Sequence, residues 1–124
     1  MKKQTYNCHV SATIDIIGGK WKPAILWHLL SGSKRNGQLL KLMPSVTQRM
    51  LIRQLKELEK DGIIIRKVYP VVPPKVEYSL TELGKSLQPL LDDMCKWGKK
   101  LEKRGMVGIE LPEAVRLELK IKNN

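Results

Sequence analysis

The stretch from Pro44 to Gly62 constrains the fold most, because it specifies a helix and marks both of its ends. Thr47 is a favourable N-cap residue, since its side-chain oxygen can accept a hydrogen bond from a free amide of the first turn. Gly62 can adopt the left-handed conformation that ends many helices. Between these residues, apolar and basic side chains recur at helical spacing on opposite faces. The apolar face contains Leu51, Leu55 and Leu58, and the cationic face contains Arg49, Arg53, Lys56 and Lys60.

The cationic face has two interpretations. Most lysine-rich helix faces are only solvated surface, but such a face also suits binding to a polyanion. The whole chain has 23 basic and 12 acidic residues, a formal charge of +11. An excess of this size destabilises a compact protein by self-repulsion unless an anionic partner offsets it. The composition therefore favours nucleic acid or an anionic membrane surface as the partner, and the neighbouring segments must decide between the interpretations.

The size and composition predict one mainly helical domain. A chain of 124 residues with 42% hydrophobic residues can bury a small core, and the absence of Phe makes that core aliphatic. The sequence has no signal peptide and no run of membrane-spanning length. The cysteines Cys8 and Cys95 are far apart, which favours reduced thiols over a disulfide framework. We therefore expect a soluble, cytoplasmic protein with no membrane partner.

Three shorter helices are predicted before Thr47. The first covers about residues 10–17, the second begins near Pro23, and the third covers 36–42 with Asn36 as its cap. The connection from the third helix to Thr47 is too short for anything but a tight turn, which predicts a helix-turn-helix. The first turns of its second helix would then face the DNA major groove. The candidate contact residues are Thr47, Gln48, Arg49, Ile52 and Arg53.

A β-hairpin is predicted next. Residues 63–69 are rich in β-branched side chains and residues 75–80 alternate apolar and polar, while three prolines stiffen the tip between them. A hairpin beside a helix-turn-helix makes a winged helix. The basic residues Arg66, Lys67 and Lys75 flank the tip. They are candidates for contacts with phosphates or the minor groove, and the alternative is that they only protect the sheet edges from aggregation.

A long helix is predicted after Thr81, kinked or broken at Pro89. Its apolar residues recur at intervals of three and four, which is typical of a helix packed along another helix. We interpret this row as a dimer interface, with packing inside one monomer as the alternative. The row consists of Leu83, Leu87, Leu90, Met94, Trp97 and Leu101.

The tail gives conflicting signals. Residues 115–122 alternate as a strand does, whereas Pro112 suggests the start of a helix. The predicted organisation is therefore a winged-helix domain over residues 1–104, including flanking dimerisation helices, and a C-terminal tail over 105–124 whose structure stays open. The fold class is mainly α with a small β-hairpin (α+β).

From about Cys8 to Trp97 the chain resembles the HxlR-type winged-helix transcriptional regulators of bacteria. The resemblance rests on these residues and motifs: Cys8, Gly18-Gly19-Lys20-Trp21-Lys22, Arg35 with Gln38-Leu39, Leu51 to Gly62, Tyr69 to Gly84, and Trp97-Gly98. It implies a homodimer that binds double-stranded DNA, with the helix from Thr47 in the major groove, the hairpin as the wing, and the first and last helices at the dimer interface. Arg35 joins the predicted DNA contacts. The chain departs from the family at His9, where Pro is common, and at Asn36, where many members carry an aromatic residue.

Cys8 is the one candidate for chemistry. Several members of the family resemble thiol sensors that use a cysteine at this position, and the positive charges of Lys2, Lys3 and His9 would lower the pKa of the thiol if they lay nearby. The alternative is a small buried side chain at the dimer interface. A pairing of Cys8 with Cys95 across a dimer requires a close approach that the sequence cannot test.

No enzymatic motif is present. The two histidines and two cysteines lack the spacing of a zinc site, and no nucleophile and base occur in a recognisable arrangement. We expect no enzymatic activity, cofactor or metal. The predicted function is sequence-specific transcriptional regulation by a homodimer on an inverted-repeat operator, modulated by a thiol or small-molecule signal of unknown identity. The alternative is a winged-helix module that binds proteins, or nucleic acid without specificity.

Overall fold

The computed structural model describes residues 3–122. Helices precede and follow one antiparallel hairpin, in the order that the sequence predicts for a winged helix. No helix in this part of the chain is both long enough and apolar enough to cross a lipid bilayer. The elements are α1 (His9–Ile17), α2 (Lys22–Leu29), α3 (Asn36–Leu42), α4 (Gln48–Lys60), β1 (Ile64–Tyr69), β2 (Lys75–Leu80), α5 (Glu82–Lys85), α6 (Gln88–Lys103) and α7 (Glu113–Lys122).

The core is aliphatic and lies where α2, α3 and α4 meet the base of the hairpin. Leu51, Leu55 and Leu58 of α4 are at most 1% exposed, so the predicted apolar face of this helix is buried completely. An ion pair of 3.2 Å between Lys22 Nζ and Glu57 Oε2 adds a polar contact between α2 and α4. The other side chains of the core are contributed mainly by Ile25, Leu26, Leu29, Leu39, Leu42, Ile63 and Ile64.

Both ends of α4 form as predicted. The Thr47 hydroxyl accepts a hydrogen bond of 3.1 Å from the Met50 amide, and Gly62 has a φ of 74°. The cap of α3 differs from the prediction. The N-cap residue is Arg35 and not Asn36, because the Gln38 side chain folds back and its Oε1 accepts a 2.8 Å hydrogen bond from the Arg35 amide.

The hairpin pairs Arg66 with Tyr78 and Lys67 with Glu77, in antiparallel register. The backbone before α3 extends this sheet by one bridge. The Lys34 amide donates to the Tyr78 carbonyl at 2.9 Å, and the Tyr78 amide donates to the Lys34 carbonyl at 2.8 Å. The main chain therefore joins the start of the helix-turn-helix directly to the hairpin.

The predicted long helix is divided in two. Helix α5 ends at Lys85 and α6 begins at Gln88, with Pro89 in its first turn, where the missing amide is tolerated. Thr81 caps α5, and its hydroxyl also donates to the Gly62 carbonyl at 2.7 Å. Gly84 packs so closely that a Cβ there would lie 2.3 Å from the Ile63 carbonyl oxygen. The end of α4, the hairpin and α5 are thus held together.

The tail contains a helix and not a strand. In α7, Ala114 and Val115 pack against the core, and Glu118 Oε1 lies 3.8 Å from Lys34 Nζ. Leu117 and Ile121 are exposed, although they belong to the alternating pattern that suggested a strand. The helix start at Pro112 and these contacts with the core override the period-two pattern.

Candidate nucleic-acid interface

The first turns of α4 present polar side chains on a firmly held helix. Gln48, Arg49 and Arg53 are exposed, and Thr47 caps the helix. Ile52 is half-buried. Because the opposite face of α4 is anchored in the core, the backbone that carries these side chains is held in place relative to the rest of the protein. The arrangement suits insertion of the helix end into a groove of duplex DNA.

A groove runs between this exposed face and the hairpin. It brings Gln48 and Ile52 together with Arg66, which lies on the hairpin face that is turned toward α4. Lys56, which the sequence placed outside the contact region, also lines the groove. The remaining lining residues are Asn36, Glu59, Val76 and Tyr78.

The predicted wing residues do not share one face. Lys67 and Lys75 lie on the opposite face from Arg66 and flank the Tyr69 ring, with Nζ atoms 4.8 Å and 4.7 Å from the ring centroid. Lys75 also pairs with Glu77 at 3.0 Å. The hydrogen bond from Lys75 is the main cause that lowers the pKa of Glu77. Lys67 is therefore the more available cation on this face.

Tyr69 and Glu77 organise the wing, and sequence reasoning gave them no such role. The antiparallel register places both residues on the same face as the two lysines, so this pairing was the sequence signal that could have predicted their role.

Arg35 is exposed directly after the bridge from Lys34 to Tyr78. Basic side chains are therefore exposed both at the start of α3 and on the hairpin.

A second exposed surface is apolar and lies between α1 and α6. Leu90 and Met94 of α6 line one groove with Val10 and Ile14 of α1. Val10 and Ile14 are 69% and 61% exposed. An apolar surface of this kind, formed by two helices, is typical of a protein-binding site.

The predicted row of apolar residues does not lie on one surface: Leu90 and Met94 line this groove, whereas Leu83 lines a separate groove against α1. Leu83, Leu90, Met94 and Trp97 are exposed, whereas Leu87 packs against the core and contributes to the monomer. Leu101 is half-buried.

Cys8 is the N-cap residue of α1 and is exposed. Although its side chain makes no capping hydrogen bond, the pKa of the thiol is lowered by the backbone amides of Ser11 and, to a smaller extent, Val10. From the sequence we expected such a shift only if Lys2, Lys3 and His9 lay nearby. Lys3 and His9 are not among its causes, and Lys2 lies outside the described residues. Ser11 was missed, although amides of a helix first turn favour a thiolate.

Cys95 is half-buried on α6. Between residues 3 and 122, no three side chains of His, Cys, Asp or Glu come together as a metal site would require.

Comparison with known proteins identifies the family. A sequence model described as HxlR-like helix-turn-helix matches residues 16–106. The HTH-type transcriptional regulator YtcD of Bacillus subtilis is 57% identical over 98 residues, which cover 79% of this chain and 78% of YtcD. The putative regulatory protein MalR of Fusobacterium mortiferum is 52% identical over 99 residues, covering 79% of this chain and 93% of MalR.

The structural comparison agrees. The redox regulator HypR in its oxidized form superposes with a TM-score of 0.73 and 53% sequence identity, covering 75% of this chain and 96% of that chain. The architecture is that of winged-helix regulators, as the sequence predicted. The chain belongs to the HxlR-like helix-turn-helix family of transcriptional regulators.

Proposed function

We propose that this protein regulates transcription as a homodimer that binds an inverted-repeat operator through α4 and the wing. The observation that carries the proposal is the exposed set Gln48, Arg49 and Arg53 on the first turns of a capped helix whose other face is buried. The formal charge of +11 favours the approach to DNA. Because the protein acts on DNA, we place it in the cytoplasm of a prokaryotic cell, and we assign it no enzymatic activity.

The side chains of α4 divide by chemistry. Arg49 can donate two hydrogen bonds to a guanine edge, and Gln48 can form a bidentate pair with adenine. Ile52, half-buried in the groove, suits contact with a thymine methyl group. Thr47 and Arg53 lie at the sides of this set and are assigned to the phosphates.

The wing and the start of α3 are assigned to the DNA backbone. Lys67 is exposed beside Tyr69, and Arg35 is exposed after the bridge that joins this segment to β2. Contacts from such residues position a protein on DNA without selecting a sequence. Arg66 faces α4 in the groove, where it can reach either a phosphate or a base edge. Lys75 contributes less, because Glu77 offsets its charge.

The exposed apolar surface between α1 and α6 is assigned to the dimer. Leu83, Leu90, Met94 and Trp97 would be covered by a second copy, and Leu101 continues the same row. A two-fold axis through this surface would present two copies of α4 to half-sites about 34 Å apart or a multiple of that distance. The operator would then be an inverted repeat.

Cys8 is assigned to a modulatory role. It is exposed and has a lowered pKa, and it begins α1, which belongs to the proposed dimer surface. A similar protein, HypR, is a redox regulator. Reaction of the thiolate with an electrophile would add a group at the edge of this surface and alter the geometry of the dimer.

The test is selection of binding sites from random duplexes at physiological salt, followed by the variants Arg49→Ala and Lys67→Ala. The wild-type protein should enrich an inverted repeat. Arg49→Ala should cost about 1–3 kcal/mol and relax the preference at particular base pairs, because it removes a base contact. Lys67→Ala should weaken binding to all sequences similarly.

Lys67 is the better control than Lys75, since removal of Lys75 would also release Glu77. If no sequence is enriched, specific operator binding is excluded. Equal losses on all sequences in both variants would remove the base-contacting role of Arg49.

A further inference from the structure

Helix α7 closes a small pocket against α2 and α6. The pocket has a volume of about 190 Å³, and its walls include Trp27, His28, Gln88, Asp92, Glu118 and Leu119. Each of the three helices contributes at least one polar side chain. A cavity with a few convergent polar groups and an apolar wall is the usual form of a small-ligand site.

The pocket depends on a part of the chain that the family match does not include. That match ends at residue 106, whereas α7 begins at Glu113. The helix is nevertheless packed on the domain through Ala114 and Val115. The pocket therefore includes residues beyond the matched region, and none of the residues assigned above to DNA lines it.

Several polar groups of the pocket are available to a ligand. Across residues 3–122, the His28 ring, the Gln88 amide and the Asp92 carboxylate make no side-chain hydrogen bond or ion pair with the protein. Glu118 differs, because Lys34 Nζ lies 3.8 Å from its Oε1. The three groups offer several hydrogen-bond donors and acceptors, which would otherwise have to be satisfied by water.

The local charge is negative. Lys34 offsets Glu118, burial lowers the pKa of His28 so that its ring is neutral at pH 7, and Asp92 has no positive partner in the pocket. The Trp27 indole, 38% exposed, adds an aromatic surface that attracts cations. The chain's net positive charge opposes cations at long range but is screened beyond about 8 Å at physiological salt. The carboxylates near the pocket therefore favour a positively charged ligand.

We propose that the pocket between α2, α6 and α7 binds a small organic ammonium ion, held by the Asp92 carboxylate and the Trp27 ring. Gln88 and His28 are placed to accept or donate further hydrogen bonds to such a ligand. The volume suits a molecule well below drug size. An inorganic cation would not use the aromatic and aliphatic wall.

A ligand in this pocket would be coupled to the DNA-binding surface. It would lie beside Glu118, whose partner Lys34 is paired through its backbone with Tyr78 of the wing. By linkage, an amine that binds the free and DNA-bound forms unequally must change the affinity for DNA by the same factor. This regulatory step rests on the proposed function, whereas binding of the amine does not.

The experiment is isothermal titration calorimetry of the full chain, without DNA, with phenethylamine, choline and phenylacetate. Phenethylamine and phenylacetate share an aromatic ring and differ in the sign of their charge. The variants are Asp92→Asn and, as the matched control, Asp93→Asn, which makes the same change at an exposed neighbour outside the pocket. We expect at least one amine to bind, phenylacetate not to bind, and Asp92→Asn to weaken amine binding about tenfold or more while Asp93→Asn does not.

Three results would overturn the proposal: no binding of either amine, equal binding of phenylacetate, or equal affinities in the two variants. Circular dichroism of both variants establishes that the comparison is made on folded protein. Operator binding without amine is measured in parallel. If the amines do not bind but operator binding is intact, only the proposal of an amine site is contradicted. If the amines bind but operator binding is absent, only the proposed function is contradicted.

Discussion

Helices α4 and α6 differ in how much of their apolar face is buried and in the polarity of the residues that they expose. In α4 the leucines are buried within the same chain and the exposed residues are polar. In α6 only Leu91 is buried, while Met94 and Trp97 are 45% and 62% exposed. Helix α4 is stabilised by its own domain, so its exposed charges are available to a ligand. Helix α6 exposes apolar side chains to water, which is typical of a surface that another protein covers.

The strongest test of this contrast is Met94→Glu. A carboxylate in the centre of the apolar surface would have to be buried unpaired in a dimer, so we expect a monomer. Affinity for the full operator should fall by a factor of roughly 10²–10⁴, because the two copies of the DNA-binding surface are no longer linked in one dimer. Sedimentation velocity gives the oligomeric state, and gel shifts give the affinity.

The matched variant Met94→Leu keeps the apolar contact and should remain dimeric. If Met94→Glu stays a dimer with full operator affinity, the surface between α1 and α6 is not the interface.

Salt provides the next test, because the two surfaces should respond differently. DNA affinity should fall steeply with salt, whereas burial of the apolar surface should depend on it little. Arg53→Ala should lower the slope of log affinity against log salt by about 1 and leave the dimer unchanged. The measurement is fluorescence anisotropy with labelled operator over a salt series.

Lys60→Ala is the control, since Lys60 is exposed at the other end of the same helix. A similar decrease in slope for Lys60→Ala would show that the contact region extends along the whole of α4.

The smallest expected effect concerns the thiol at the edge of the apolar surface. The pKa of Cys8 is lowered chiefly by the Ser11 amide, with a smaller contribution from the Ser11 hydroxyl. Ser11→Ala removes only the hydroxyl, so it should raise the pKa slightly and move the pH midpoint of alkylation upward. Iodoacetamide labelling over a pH series, with mass spectrometry to separate Cys8 from Cys95, measures the shift. An unchanged or lower midpoint contradicts a role for the Ser11 hydroxyl and leaves the contribution of the amide untouched.

Features that depend on neighbours in sequence were predicted well. The caps at Thr47 and Thr81, the turn at Gly62 and the break near Pro89 all form where the local pattern places them. The predicted cap of α3 was wrong by one residue, because the Gln38 side chain folds back and accepts a hydrogen bond from the Arg35 amide. Residue preferences at the N-cap favour Asn36 and do not include this contact from the third residue of the helix.

Features that depend on tertiary contacts were not predictable in the same way. Period two places Arg66 and Lys67 on opposite faces, but only the packing shows that Arg66 faces α4. Leu87 fits the helical row and is nevertheless part of the core. In the tail, contacts of Ala114 and Val115 with the core select a helix that the alternating pattern opposed. The sequence predicted which helix or strand carries each candidate DNA-binding residue. Only the structure shows which of these residues share a face of the hairpin or the groove beside α4.

The bridge between Lys34 and Tyr78 has a mechanical consequence. Together with the hydrogen bond of 3.0 Å that the Thr81 amide donates to the Ile63 carbonyl, it joins both ends of the helix-turn-helix to the hairpin through the main chain. Main-chain hydrogen bonds therefore hold α4 and the hairpin in one arrangement, and each copy of the protein would present the two elements to DNA together. A signal that acts at the proposed dimer surface would therefore alter the distance or angle between two copies and leave the arrangement within each copy unchanged. The proposed amine pocket differs, because it lies beside Glu118 and its partner Lys34 and would act on the bridge itself.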